Sequence, residues 1–512
     1  MRENVSMSYD DKGWVLKIIE VSDNRRFPHR SITKSQSGGA GQLYPRVNIG
    51  VLPDDVLLEI FDLYVDENRH DLSMWGPRPD DAWHRLVHVC HRWRCVVFAS
   101  PRRLRLQLLC SNERSVEKML DIWPALPIAI LASGTKSQWQ DTANITAALE
   151  KRDRVCKINI DSVPSLLFRK IVTTEMPFPA LTDLRLSLHL GHIPILPDSF
   201  LGGSAPLLRE LWLEGFTFQT MGKLLLSTRE LVNLYLWNIP RSGYTSAEVI
   251  ITTLSSLTRL ESLSLGFSSH PRADRAIRCP PAHTRIVLPA LSRLWFQGDS
   301  EYLEVIASHI DTPPLESATI TFFNRQSFDT PLLRNFICRI ETFKLAHRAD
   351  LLLSDHQVNI TLFRPQEGTD DHGALELRIL SKPWHWQLAS FSQVCTSALP
   401  PLGTLELLRI RDYRQNWQDD IDYTPQWREL LLLFTSVKDL VLSEQSVPLV
   451  APSLGELAEE GVTEVFPRLQ SLGLEGPQPS GALQQAIGQF VATRRRTGRS
   501  VAVHYLEESE WL

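Results

Sequence analysis

Hydrophobic residues along this chain follow two periodicities. In "VLPDDVLLEIFDLYV" (residues 51–65), Val56, Leu57, Ile60, Phe61 and Tyr64 recur at helical spacing and predict one apolar helix face. Pro53 suits the first helical position, and Asp54 and Asp55 place negative charge near the positive end of the helix dipole. Gly76, Pro77 and Pro79 break the chain, and a second helix is expected from Asp80 or Asp81 to about Ser100-Pro101. On that helix, at ~100° per residue, Leu86, Val89, Cys90, Trp93, Val96 and Val97 share one side. His84, His88, His91 and Cys95 share the other.

From about residue 155 the period changes to L-x-x-L-x-L. Leu181, Leu184 and Leu186 give the pattern, as do Leu208, Leu211 and Leu213, then Leu231, Leu234 and Leu236. Leu260, Leu263 and Leu265 follow, then Leu291, Leu294 and Phe296. Weaker copies are Leu315/Ala318/Ile320 and Ile340/Phe343/Leu345, before a lapse up to Leu405. Leu405/Leu408/Ile410, Val437/Leu440/Leu442 and Leu469/Leu472/Leu474 complete the series, with Val155/Ile158/Ile160 as a candidate first copy. Outside the lapse the interval is 23–32 residues, and helix-like pieces such as "SLLFRKIV" and "SAEVIITTLSSL" lie between. Each x-L-x-L predicts a short strand with alternate side chains turned inward. One strand and one helix cannot bury their own apolar faces, so the units must stack into a solenoid.

The domains expected are a mostly disordered arm (1–47, with one short element possible in "GWVLKIIEV"), a helical domain (48–110), a helical linker or capping region (111–154) and the repeat array (155–512). The chain has 512 residues with net charge −5, 43% hydrophobic and 22% charged residues, so it is not built as a whole to coat nucleic acid or membrane. Seven scattered cysteines without a Cys-x-x-Cys read as reduced thiols of a cytoplasmic or nuclear protein. The N-terminus lacks the apolar core of a signal peptide, and no run approaches the ~18 apolar residues of a spanning helix.

The repeat resembles the leucine-rich repeat pattern. Where regular repeats carry Asn or Cys, eight places after the first Leu, this chain has His189, Phe216, Ile239, Ser268 and Asp299, so an irregular solenoid is expected. The 48–110 segment resembles the F-box. The matching residues are Leu52-Pro53, Ile60-Phe61, Val89-Cys90 with Trp93, and Ser100-Pro101. It departs from the family at Asp55 and in a long loop over 66–79. The two together look like the large F-box families of mushroom-forming fungi. The fold class is therefore α/β: a small all-helical F-box, then an irregular solenoid with parallel strands on its concave side and helices outside.

The resemblance implies a partner, a Skp1-like adaptor, and through it a cullin-RING ubiquitin ligase. The docking set is Leu52, Pro53, Val56, Leu57, Ile60, Phe61, Leu86, Val89, Cys90, Trp93 and Val97. Some of these are core instead, and sequence does not divide the two. The repeats would capture a protein substrate, and catalysis would come from proximity. The alternative is a repeat scaffold without a ligase role.

Other features weigh less. The His/Cys stripe lacks a second ligand pair and reads as a solvated face with Cys90 in the core, so no metal or cofactor is expected. Arg85, Arg92, Arg94, Arg102, Arg103 and Arg105 form either a solvated basic face or a landing site for an acidic protein, with no nucleic-acid module beside them. Trp384 and Trp386 are either repeat core or substrate anchors. "TRRRTGR" (493–499) is either a nuclear localisation signal or a helix end. No nucleophile elbow, P-loop, dinucleotide fingerprint or His-Glu-x-x-His occurs, so no catalysis is expected from this chain.

Overall fold

In the computed structural model the chain is described at residues 4–10, 13–19, 51–67 and 82–506, apart from 111–115, 133–141, 164, 173–175, 189–194, 198, 218–221, 241–242, 244–245, 269–284, 324–327, 366–372, 381–386, 401, 414–423, 460–465 and 477–479. By their internal contacts, residues 1–63 and 64–512 make two separate units.

In the first unit, the arm expected to be mostly disordered contains an antiparallel hairpin, β1 (Asn4–Asp10) with β2 (Gly13–Ile19). Two residues separate the strands in sequence, the commonest length for a hairpin connection. A helix runs Asp54–Glu67, its residues 64–67 counted with the second unit. Pro53 sits just outside it, its carbonyl accepting the first intrahelical bond from Leu57 (3.1 Å), so it caps the helix rather than opening it.

In the second unit, the helix expected over 80–100 is two helices, Ala82–Val87 and His91–Ala99. Cys90 separates them. Its backbone is extended (φ −157°, ψ 170°) and its Sγ accepts from the Trp93 N–H, so the thiol caps the second helix. The Arg94 side chain bends back and donates to the Val87 carbonyl (3.0 Å), satisfying the end of the first. Cys90 is exposed, not core as expected, because it serves backbone at a break.

The remaining strands are β3 (Leu108–Cys110), β4 (Ile128–Ala132), β5 (Val155–Ile160), β6 (Asp183–Ser187), β7 (Glu210–Glu214), β8 (Asn233–Ile239), β9 (Ser262–Phe267), β10 (Ile286–Val287), β11 (Arg293–Gly298), β12 (Ile310–Asp311), β13 (Ser317–Phe323), β14 (Arg348–Leu353), β15 (Gln357–Phe363), β16 (Leu375–Leu380), β17 (Leu407–Asp412), β18 (Asp439–Leu442), β19 (Ser471–Glu475) and β20 (Ala502–Leu506). β10 and β12 pair with each other. The other sixteen form one sheet in the order β20-β19-β18-β17-β14-β15-β16-β13-β11-β9-β8-β7-β6-β5-β4-β3. The protein is thus α/β, with a large, mostly parallel sheet.

The repeat leucines set the register. Leu184, Leu211, Leu234, Leu263 and Leu294 are successive ladder partners, as are Leu186, Leu213, Leu236, Leu265 and Phe296. All are buried. The first leucine of each copy is buried too, and its N–H closes a three-residue turn: Leu181 to Phe178, Leu208 to Ala205, Leu231 to Thr228, Leu260 to Leu257. Ladder bonds one residue later (Arg209 N–H to Thr182 O, Val232 to Arg209, Glu261 to Val232) lock each turn to the next. Connecting helices pack on their neighbours, for example Ala247–Leu254 on Ser300–His309 and Ser300–His309 on Pro331–Arg339. Their apolar sides and the inward strand residues form the core.

Three departures from the sequence reading stand out. The sheet begins at Leu108, so β3 lies in the segment assigned to the helical domain and β4 in the expected helical linker. β4 is the apolar stretch of "PALPIAILA", buried in a parallel sheet and therefore without polar alternation. Ile340/Phe343/Leu345 is not a repeat strand. Glu341–Lys344 is a helical turn, and Leu345 is exposed. The true copy is Ala346/Ala349/Leu351, hidden from a leucine pattern by two alanines and aligned with Leu408 and Ile410. Finally, the lapse before Leu405 is an inversion. β16 pairs parallel with β13, β15 alone is reversed and pairs antiparallel with both β16 and β14, and β14 with β17 resumes the parallel order.

Candidate functional site

The predicted docking residues separate by burial. Leu57, Phe61, Leu86, Trp93 and Val97 are buried. Leu52, Ile60 and Val89 are half-buried, and Pro53, Val56 and Cys90 are exposed. On Asp54–Glu67 the buried stripe is Leu57, Phe61 and Val65, one turn apart each time. Beside it runs a second apolar stripe of Val56 (38% exposed), half-buried Ile60 and Leu63 (64% exposed). Leu63 escaped the sequence reading, although its spacing from Ile60 and Val56 marks the same face.

The His/Cys stripe does not survive the break at Cys90. His84 and His88 pack edge-on to each other (4.7 Å between ring centroids) and to Trp123 (4.7 and 6.0 Å). His91 and Cys95 meet separately, Sγ 3.7 Å from Nδ1. The stripe is thus divided between an aromatic cluster, which Trp83 and Phe98 complete, and a surface pair. Among the described residues no group of three or more His, Cys, Asp or Glu side chains could hold a metal ion. No described helix is long and apolar enough to cross a membrane. Trp384 and Trp386 lie outside the described residues. "TRRRTGR" forms the end of the helix Gly481–Arg496 and the turn after it. Arg494 is buried there and donates to the Phe466 carbonyl (2.7 Å).

The sheet's other face carries the side chains that alternate with the buried leucines. Its β7–β11 stretch is aromatic. Trp212 on β7 stacks on its ladder partner Tyr235 on β8 (3.4 Å between centroids), and Tyr235 lies 5.6 Å from Trp237. Trp237 reaches Trp295 on β11 at 3.7 Å, passing over β9. It can do so because β9 presents only Ser262, Ser264 and Gly266, and a Cβ at Gly266 would overlap the Trp237 ring. The Arg185 guanidinium covers the other side of Trp212 at 4.0 Å. All five side chains are half-buried. Burial, and secondarily the Glu214 charge, pushes the Tyr235 hydroxyl up to about 12, against the pull of Arg185.

The β13–β19 stretch is charged instead. Arg348 forks onto Asp350 (2.8 and 2.7 Å), and Arg378 onto Glu376 (2.6 and 2.7 Å), which also accepts from Asn359. Arg409 shares Asp350 at 3.8 Å, and Arg411 approaches Glu475 at 3.9 Å. Burial lowers the pKa of Arg409, and Asp350 opposes the shift. None of these outer-face residues was singled out from sequence. The signal was present in "LWL", "LYLW" and "LWF", where aromatics occupy the positions between buried apolar residues that an outward face normally gives to polar ones.

The described residues offer surfaces: an apolar helix stripe of Val56, Ile60 and Leu63 in the first unit and a broad, side-chain-rich sheet face in the second. The sequence matches no known family model and no curated protein.

Proposed function

We propose that this chain is a substrate-recruiting adaptor of a ubiquitin ligase, its N-terminal helical segment docking on a Skp1-like protein and its sheet face holding a client protein. In this reading the α/β array is a leucine-rich-repeat solenoid, with the aromatic and charged face as its concave side. The observation that carries it is the second apolar stripe on Asp54–Glu67. Val56, Ile60 and Leu63 lie beside the buried stripe rather than in it, at positions an isolated surface helix would give to polar residues. A partner that covers them removes that unfavourable exposure. The resemblance at Leu52-Pro53 and Ile60-Phe61 supplies the partner's identity. The wide sheet face supports capture of a protein rather than a small molecule.

The test is co-expression with a Skp1-like adaptor. The wild-type chain is expected to co-purify with it, and Val56→Asp combined with Leu63→Asp is expected to abolish the complex while leaving the sheet folded, since both side chains are exposed. An undiminished complex in the double variant would overturn the docking face. No complex with the wild-type chain would leave the alternative, a repeat scaffold without a ligase role.

A further inference from the structure

We infer that the β7–β11 stretch of the sheet face binds a basic, arginine- or lysine-bearing peptide segment. This deepens the adaptor reading and rests on it only in taking that segment to belong to a client protein.

Trp212, Tyr235, Trp237 and Trp295 make a continuous aromatic floor across four neighbouring strands. The π-faces of such rings accept cations, and one already does: Arg185 lies over Trp212. Carboxylates bracket the same ring. Glu210 and Glu214 lie two residues either side of Trp212 on β7, and Glu214 is the ladder partner of Trp237. Glu210 is exposed and Glu214 half-buried, and neither carboxylate has a hydrogen-bond or ion-pair partner among the described residues.

Of the cations nearby, exposed Arg209 precedes β7 and has the opposite alternation to Glu210, Trp212 and Glu214, and the others are committed or distant. Lys157 lies 3.8 Å from Asp183, and Arg185 is on Trp212. Arg293 stands three strands away on β11, about 14 Å at the usual strand spacing. An acidic ligand would meet two unmatched carboxylates, and a neutral one would leave them unused. A guanidinium or ammonium group satisfies the carboxylates and meets the ring faces beyond Trp212, whose own two faces are taken by Tyr235 and Arg185. Gly266 matters here because it leaves room for the Trp237 ring over β9, where it reaches Trp295.

The experiment uses the full chain and three fluorescein-labelled dodecapeptides, alternating Arg-Gly, Glu-Gly and Ser-Gly, read by anisotropy. The Arg-Gly peptide is expected to bind and the other two are not. Glu210→Gln with Glu214→Gln should weaken it about fivefold or more, the ratio equivalent to ~1 kcal/mol. Glu341→Gln with Glu429→Gln removes the same charge from exposed helix positions and should change nothing. The inference is overturned by equal binding of Glu-Gly, by no Arg-Gly binding at millimolar protein, by an unaffected Glu210/Glu214 variant, or by equal loss in the control. Co-purification with a Skp1-like adaptor does not depend on these residues. Peptide binding without that complex would sink the adaptor reading alone, and the complex without peptide binding would sink this inference alone.

Discussion

Glu304 caps a helix that is not its own. The helix Pro331–Arg339 opens with Pro331, which has no N–H, and its N-cap Thr330 makes no side-chain cap bond. Its next two donors, Leu332 and Leu333, are satisfied by the Glu304 carboxylate from the preceding helix, at 3.1 and 2.6 Å. Hydrogen bonds to a charged acceptor each contribute about 1.5–3 kcal/mol, and burial of the charge offsets part of that. Glu304 is 9% exposed and its pKa is raised, chiefly by burial, with the two N–H groups opposing. Glu304→Ala should therefore destabilise this helix by about 2 kcal/mol. Glu304→Gln keeps one oxygen acceptor and removes a charge that burial disfavours, so it should lose well under half as much.

Hydrogen exchange reads this locally, residue by residue, where a global melt does not. At neutral pH, a 2 kcal/mol loss speeds exchange of the Leu332 and Leu333 amides about 30-fold. The pH dependence follows from the raised pKa. The folded state holds the proton more tightly, so the stabilisation tied to that proton is full below the unfolded value of about 4.3 and is lost as pH rises through the folded value. Glu304→Gln should remove that decline. Exchange in Glu304→Ala within threefold of wild type, or equal losses in the two variants, would refute the capping role.

Gly266→Ala should displace the Trp237 ring at about 1–3 kcal/mol, read as altered near-ultraviolet circular dichroism and a lower denaturation midpoint, and an unchanged spectrum would contradict the packing. In the native protein a thiol reagent at pH 8 should modify exposed Cys90 and Cys95 quickly and leave Cys156 and Cys395 untouched until unfolding. Burial pushes the Cys156 thiol up to about 11 and Cys395 higher still, so neither forms thiolate. Fast labelling of Cys395 would show that the helix Gln387–Ser397 opens readily. Leu263→Ala, which empties a fully buried ladder position, should cost about 2–5 kcal/mol, and a loss under 1 kcal/mol in a urea titration would place the leucine outside the core.

The amino-acid sequence by itself determined the sheet's register wherever large apolar residues mark it. Two leucines at strand spacing leave one buried face, and a slip of one residue would expose them all, so Leu184 to Leu294 could align in only one way. Sequence also placed the helix at Asp54–Glu67, because period and acidic start agree there.

The tertiary structure decided what depends on neighbours distant in the chain. The copy at Ala346–Leu351 became visible only beside Leu408 and Ile410, since alanine carries no periodic signal of its own. The break at Cys90 needed the Arg94 side chain to satisfy the Val87 carbonyl and the Cys90 thiol to satisfy the Trp93 N–H, a local bargain that hydrophobic periodicity does not report. The aromatic floor arose because β9 happens to be small where Trp237 and Trp295 close over it. A one-dimensional pattern fixes which face a side chain occupies, but only packing fixes what it meets there.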